Sequence, residues 1–196
     1  MDQIRELLAR MTAQTDLTYE RLPDIDLYMD QVIEYLSRQC LSLRENDKIS
    51  SALINNYIKD GLLPRAVDKT YTREHLAYLL MIARLKQTLS VKDVGLLLQS
   101  DAKGEDVASY FDRFQRLVAE TADAVGASLP KEENELSAVA VRLAISGYVS
   151  RIVCEMILTR LEGLPTDGEP VKAESEKKDD PAPESGKKKK SAPQKS

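Results

Sequence analysis

Apolar residues recur at spacings of three and four along most of the first 163 positions, the period of helices that bury one face. Ile4, Leu7, Leu8 and Met11 predict a short helix over 2–11. Residues 12–25 are polar, contain Pro23 and read as a linker. Met29, Val32, Ile33, Leu36 and Cys40 predict a second helix, capped by Asp26 and fading near Leu43, before a polar turn from Arg44 to Lys48. Ser50 or Ser51 caps a third, over 50–60, with Leu53, Ile54, Tyr57 and Ile58 inward. Gly61 stands where a left-handed C-terminal cap belongs, and Pro64 blocks continuation. Leu62 to Tyr71 is expected to be extended or turning, with Asp68-Lys69 at its tip. Thr72 and Ser90 cap two more helices, burying Leu76, Leu79, Leu80 and Ala83 in one and Val91, Val94, Leu97 and Leu98 in the other.

Two longer helices follow. Val107, Tyr110, Phe111, Phe114, Leu117, Val118 and Val125 form one stripe, ending at Gly126. The next helix, over about 132–161, is apolar on two faces, one with Leu136, Val139, Leu143, Val153 and Ile157, the other with Val141, Ile145, Tyr148, Ile152 and Met156. Such a helix needs cover on two sides. The 104–125 stripe is expected to cover one, and a second subunit the other, giving a homodimer; the alternative is that helices 2–11 and 26–43 fold back over it. After Leu164 the chain turns to Lys, Glu, Asp, Pro and Ser, a composition that predicts disorder. Its run Lys187 to Lys190 reads as part of a solubilising tail rather than a contact for nucleic acid or acidic lipid. The expected organisation is an N-terminal helix and linker (1–23), a helix-turn-helix unit with a small wing (24–100), a C-terminal helical region for dimerisation or sensing (101–163) and the tail (164–196).

Composition narrows the class. Aromatics make up 5% of the chain and Trp is absent, so the core falls to Leu, Ile, Val and Ala, which suits helix on helix. No unbroken run of 18 apolar residues occurs, so no membrane span is expected. The N-terminus lacks the basic start and apolar stretch of a signal peptide. Cys40 and Cys154 stand apart and read as two reduced thiols of a cytoplasmic protein. The net charge is −4, yet residues 44–92 carry nine basic and five acidic side chains, a basic segment in an acidic chain. A DNA contact needs only a local positive field.

Function concentrates between Ser50 and Leu76. Ser51, Asn55, Asn56 and Lys59 are placed on the outer side of the 50–60 helix. Asparagine can bond adenine bidentately in the major groove, and Ser and Lys reach phosphates or bases. Asparagine is otherwise a poor helix former. Arg65 and Lys69 in the 62–71 loop, and Arg73 after it, are placed on phosphates. Tyr57 and Tyr71 are counted with the DNA-binding set, although the Tyr71 ring suits a core anchor.

This segment resembles the DNA-binding domain of MerR-type regulators. Ile54, Tyr57 and Gly61-Leu62-Leu63 match the family's second helix and its Gly-Leu-Leu end, and Lys69-Thr70-Tyr71-Thr72 matches the close of its wing. Asn55, Asn56 and Ile58 depart from the usual Arg, Tyr and Glu, and the wing is shorter. The run from Ile54 to Leu63, the run from Lys69 to Leu76, and Leu85-Lys86-Gln87 more closely resemble the bacterial domain-of-unknown-function 1836 family, over about 24–125. The resemblance implies an all-α, MerR-like winged helix-turn-helix fold, followed by a helical pair and the tail.

An enzyme is not expected. His75 is the only histidine, no Cys or second His gives it metal-ligand spacing, and neither a phosphate-binding Gly loop nor a nucleophile elbow occurs. The expected protein is a transcriptional regulator that binds double-stranded DNA as a homodimer, without cofactor, metal or membrane contact. The rival reading is a protein-interaction module on the same fold.

Overall fold

The computed structural model describes residues 2–40, 49–130 and 132–163. In chain order they form α1 (Asp2–Thr15), a 3-10 turn (Tyr19–Arg21), β1 (Leu27–Tyr28), α2 (Met29–Gln39), α3 (Ser51–Lys59), β2 (Thr70–Tyr71), α4 (Arg73–Leu85), α5 (Val91–Asp101), α6 (Val107–Ala127), a second 3-10 turn (Glu133–Glu135) and α7 (Leu136–Glu162). The polar turn expected from Arg44 to Lys48 and the 164–196 tail, with its lysine run, lie outside the described residues.

The core is built around α4. His75, Leu76, Ala77, Leu79, Leu80, Met81 and Ile82 are all buried. A helix buried over such an arc needs neighbours on more than one side. Helix α2 and helix α6 supply them, bringing Val32, Leu36 and Phe111, each with no exposed surface. The start of α4 is fixed locally: the Thr72 backbone N–H donates to His75 Nδ1 at 3.1 Å, a reciprocal cap in which His takes the usual place of Glu. An accepting Nδ1 puts the ring hydrogen on Nε2, which is buried without a partner. The Tyr71 ring meets the imidazole edge-on, with centroids 5.5 Å apart.

Sheet and cap differ from expectation at the start of α2. Leu27 and Tyr28 pair antiparallel with Tyr71 and Thr70, so the helix begins only at Met29. Asp26 is therefore not its cap; its carboxylate lies 3.3 Å from the Thr70 hydroxyl oxygen, and Gln31 Oε1 takes the Tyr28 N–H at 2.9 Å. The pairing joins positions 42 and 44 residues apart, which helical periodicity does not register. Thr72 and Ser90 both cap as expected, Ser90 Oγ accepting from the Asp93 N–H at 3.2 Å.

The C-terminal helices also depart from expectation. Tyr110 and Phe111 of α6 face the common core rather than α7. Another side of α6 is taken by α1, which runs along it. Buried Gln115 fastens this contact, donating to the carbonyls of Leu17 at 2.8 Å and Gln14 at 3.3 Å while accepting from Arg84. Helix α7 is consequently left almost bare: Val139 and Leu158 alone among its described residues are buried. With the turn before it, α7 forms a helical run of 30 residues, long and apolar enough by length and composition to cross a membrane. The expectation of no membrane span rested on the lack of an unbroken apolar run, which residues such as Arg142, Ser146 and Arg151 interrupt without ending the helix.

Burial pushes the phenol of Tyr57 up to about 12 and raises those of Tyr35, Tyr71, Tyr78 and Tyr110. In the unfolded chain these groups ionise near pH 10. Their contribution to stability is thus present below about pH 10 and lost as pH rises through the folded values. The urea midpoint should be flat from about pH 8 to 9.5 and fall above pH 10, with a shallower fall in Tyr57→Phe. A midpoint independent of pH up to 11.5 contradicts this.

Candidate nucleic-acid interface

Helix α3 is anchored at both ends. Ser50 Oγ accepts from the Leu53 N–H at 3.3 Å, satisfying one of the free donors of the first turn. At the other end Gly61 turns left-handed at φ +73°, and the Leu62 N–H returns to the Tyr57 carbonyl at 2.9 Å. A Cβ on Gly61 would meet nothing within 4 Å, so backbone conformation and not space selects glycine there. Ile54 and Tyr57 are buried and hold the helix to the core. Ser51, Asn55, Asn56 and Lys59 are all exposed. Ser51, Asn55 and Lys59 follow one another at four-residue steps, so they share a side of the helix.

The loop after α3 turns back through a tight tip. The Thr70 N–H bonds the Val67 carbonyl at 2.8 Å, with Asp68 at φ 51° and Lys69 at φ 65° between them. Two consecutive left-handed residues define a type I′ turn, which ordinarily selects Asn-Gly or Asp-Gly. Asp68 suits its place, whereas Lys69 sits where glycine would be easier. The Thr70 hydroxyl donates to the Val67 carbonyl at 2.8 Å, bracing the turn. Lys69 and Arg65 are both exposed on this loop.

Three of the expected contact residues are placed elsewhere. Tyr57 is 3% exposed and is a core residue, because the helix can bury only one face and Tyr57 lies three positions from Ile54 on it. Tyr71 is likewise buried, between Leu27 and the His75 ring. Arg73 is half-buried and engaged within the protein, 3.1 Å from Glu20 and 5.7 Å from the Tyr19 ring centroid. The turn Tyr19–Arg21 brings those partners, a contact across 53 positions that spacing near Arg73 does not reveal. Lys86, which the sequence reading left out of the contact set, is brought to α3: its ammonium lies 5.7 Å from the centroid of the Tyr57 ring. Lys86 belongs to the Leu85-Lys86-Gln87 run that carries the family resemblance, but helical spacing gives no sign of its contact with α3, which lies 29 positions away at Tyr57.

Among the described residues no group of three or more His, Cys, Asp or Glu side chains could hold a metal ion. Cys40 and Cys154 are free thiols, and burial raises the first.

A family described as Domain of unknown function (DUF1836) matches residues 17–114. The chain belongs to that family. No curated protein and no solved structure matches it. The DUF1836 region holds the polar face of α3, the Asp68-Lys69 tip and all of α4, and it ends inside α6, so α7 lies beyond it.

A left-handed lysine costs about 1–2 kcal/mol that glycine avoids, offset by about 0.4–1 kcal/mol of extra glycine freedom in the unfolded chain. Lys69→Gly should therefore raise stability by about 0.5–1 kcal/mol in urea denaturation. A lowered midpoint would show that the turn carries no strain at this position.

Proposed function

We propose that this DUF1836 protein is a non-enzymatic regulator that binds double-stranded DNA through a MerR-like winged helix-turn-helix unit. Helix α2 is the supporting helix, α3 reads bases, and the loop from Leu62 to Tyr71 is a small wing. The observation that carries this reading is the exposed face of Ser51, Asn55, Asn56 and Lys59 on a helix whose other face is fixed by Ile54 and Tyr57. A groove-reading helix has to present polar side chains on a rigid support, because base contacts discriminate only if donors and acceptors are held in register. The strained Lys69 also supports it: a cation kept at a turn position that disfavours it suggests a role for the charge.

In this reading the amides of Asn55 and Asn56 bond adenine edges, Ser51 and Lys59 reach bases or flanking phosphates, and Arg65 and Lys69 hold the backbone. Arg73 acts indirectly, by tying α4 to the Tyr19 turn and so fixing the frame on which α3 sits. Tyr57 and Tyr71 serve as packing beneath the contact face.

Selection from randomised duplexes followed by fluorescence anisotropy tests the proposal. Asn55→Ala with Asn56→Ala should weaken the selected site by about 1–3 kcal/mol per lost bidentate contact while sparing random DNA. Lys69→Ala should weaken both about equally and reduce the salt slope by about one. Absence of duplex binding at low salt, or an unaltered sequence preference in the double variant, would sink the DNA reading and leave the protein-interaction alternative.

A further inference from the structure

Helix α7 presents far more apolar surface than the other described residues cover. Helix α5 packs against it, with Lys92 2.6 Å from Glu162 and Leu158 buried, and Val139 is buried near its start. Between these points it is open, and a Cβ placed on Gly147 would meet nothing within 4 Å. Val141, Ile145, Tyr148, Ile152 and Met156 are 59%, 58%, 67%, 41% and 70% exposed. Their spacings of four, three, four and four place them along one side of the helix.

We infer that a second copy of this chain covers this stripe, α7 against α7. Area is the first reason. The five side chains of the stripe expose on the order of 500 Å², at the upper end of the largest apolar patch on a typical monomer, and Val149 and Val153 beside it extend the patch toward the about 800 Å² that each partner contributes to a stable dimer. Charge is the second. On a helical projection at about 100° per residue the stripe contains no charged side chain, while Arg142 and Arg160 flank it on one edge and Glu155 on the other. Set parallel, two identical stripes place the arginine edge of one helix against the Glu155 edge of the other, and the same knobs fit the same holes, as a two-fold interface requires.

A bilayer fits the helix less well. Arg142, Arg151 and Arg160 recur every nine residues, about 13 Å of helix, so a span of about 30 Å would hold at least two guanidinium groups in hydrocarbon. Arg151 and Glu155 already pair at 2.9 Å on the exposed surface, as in water. The interface does not depend on the DNA reading, although a two-fold dimer would present two copies of α3 to a palindromic site.

Sedimentation velocity of the full chain at about 1–50 µM tests the inference. The expected mass is twice the 22.0 kDa of one chain, shifting toward one chain in Ile145→Glu and in Met156→Glu. Both positions are exposed in the protomer, so each variant should keep its circular dichroism spectrum, and the second serves if the first does not fold. A single-chain mass at about 50 µM overturns the inference. So does a dimer that persists in every variant that folds, or flotation of the wild-type chain with phosphatidylcholine–phosphatidylglycerol vesicles.

Discussion

Helix α4 must be covered on several sides, and that constraint places much of the molecule. Seven of its residues are buried, six of them apolar, and α2 and α6 pack against it. Its N-terminus cannot move independently of the β1–β2 pairing, because Tyr71 ends the strand and Thr72 caps the helix. Its C-terminal turn carries Arg84, which reaches Gln115 on α6, and Lys86, which lies over the Tyr57 ring. One buried helix thus connects the N-terminal segment, the two-stranded sheet and the candidate contact helix.

The same arrangement explains why α3 suits a contact role. It is short, capped at both ends and anchored by Ile54 and Tyr57, so its outward side chains inherit the rigidity of the core. Helix α5 reinforces the base of the loop: a Cβ on Gly95 would sit 3.2 Å from the Leu62 side chain, so the two segments approach closely. Among the described residues the left-handed non-glycine positions are Asp68 and Lys69, both at the tip. The frame turns its apolar side chains inward; the polar face of α3 and the tip are what it offers outward.

Helix α7 obeys a different logic. The other long C-terminal helix, α6, buries most of its apolar surface within the chain, against α4 on one side and α1 on another, with Leu117 left exposed. Gln115 secures that second contact with a buried amide whose partners are all within the protein. Among the described residues nothing equivalent reaches the middle of α7. Such an exposed apolar helix has a burial requirement that those residues do not meet, and the hydrophobic effect favours whatever meets it.

Local rules in the sequence determined the helices and most of their ends. Periodicity located each helix, Ser50, Thr72 and Ser90 marked three starts, and Gly61 marked the end of α3, because a cap depends on residues only a few positions away. The outward set Ser51, Asn55, Asn56 and Lys59 was legible for the same reason: once Ile54 and Tyr57 define the inner face, the helical repeat fixes the outer one. Tertiary structure decided what depended on distant partners. It put Leu27 and Tyr28 in a strand, because their partners Tyr71 and Thr70 lie more than 40 residues away. It withdrew Arg73 into contact with Tyr19 and Glu20, brought Lys86 to Tyr57, and gave the flank of α6 to α1 rather than α7. Sequence spacing states which residues share a face of one element; which face meets which is settled only when all the apolar faces compete for the same limited interior.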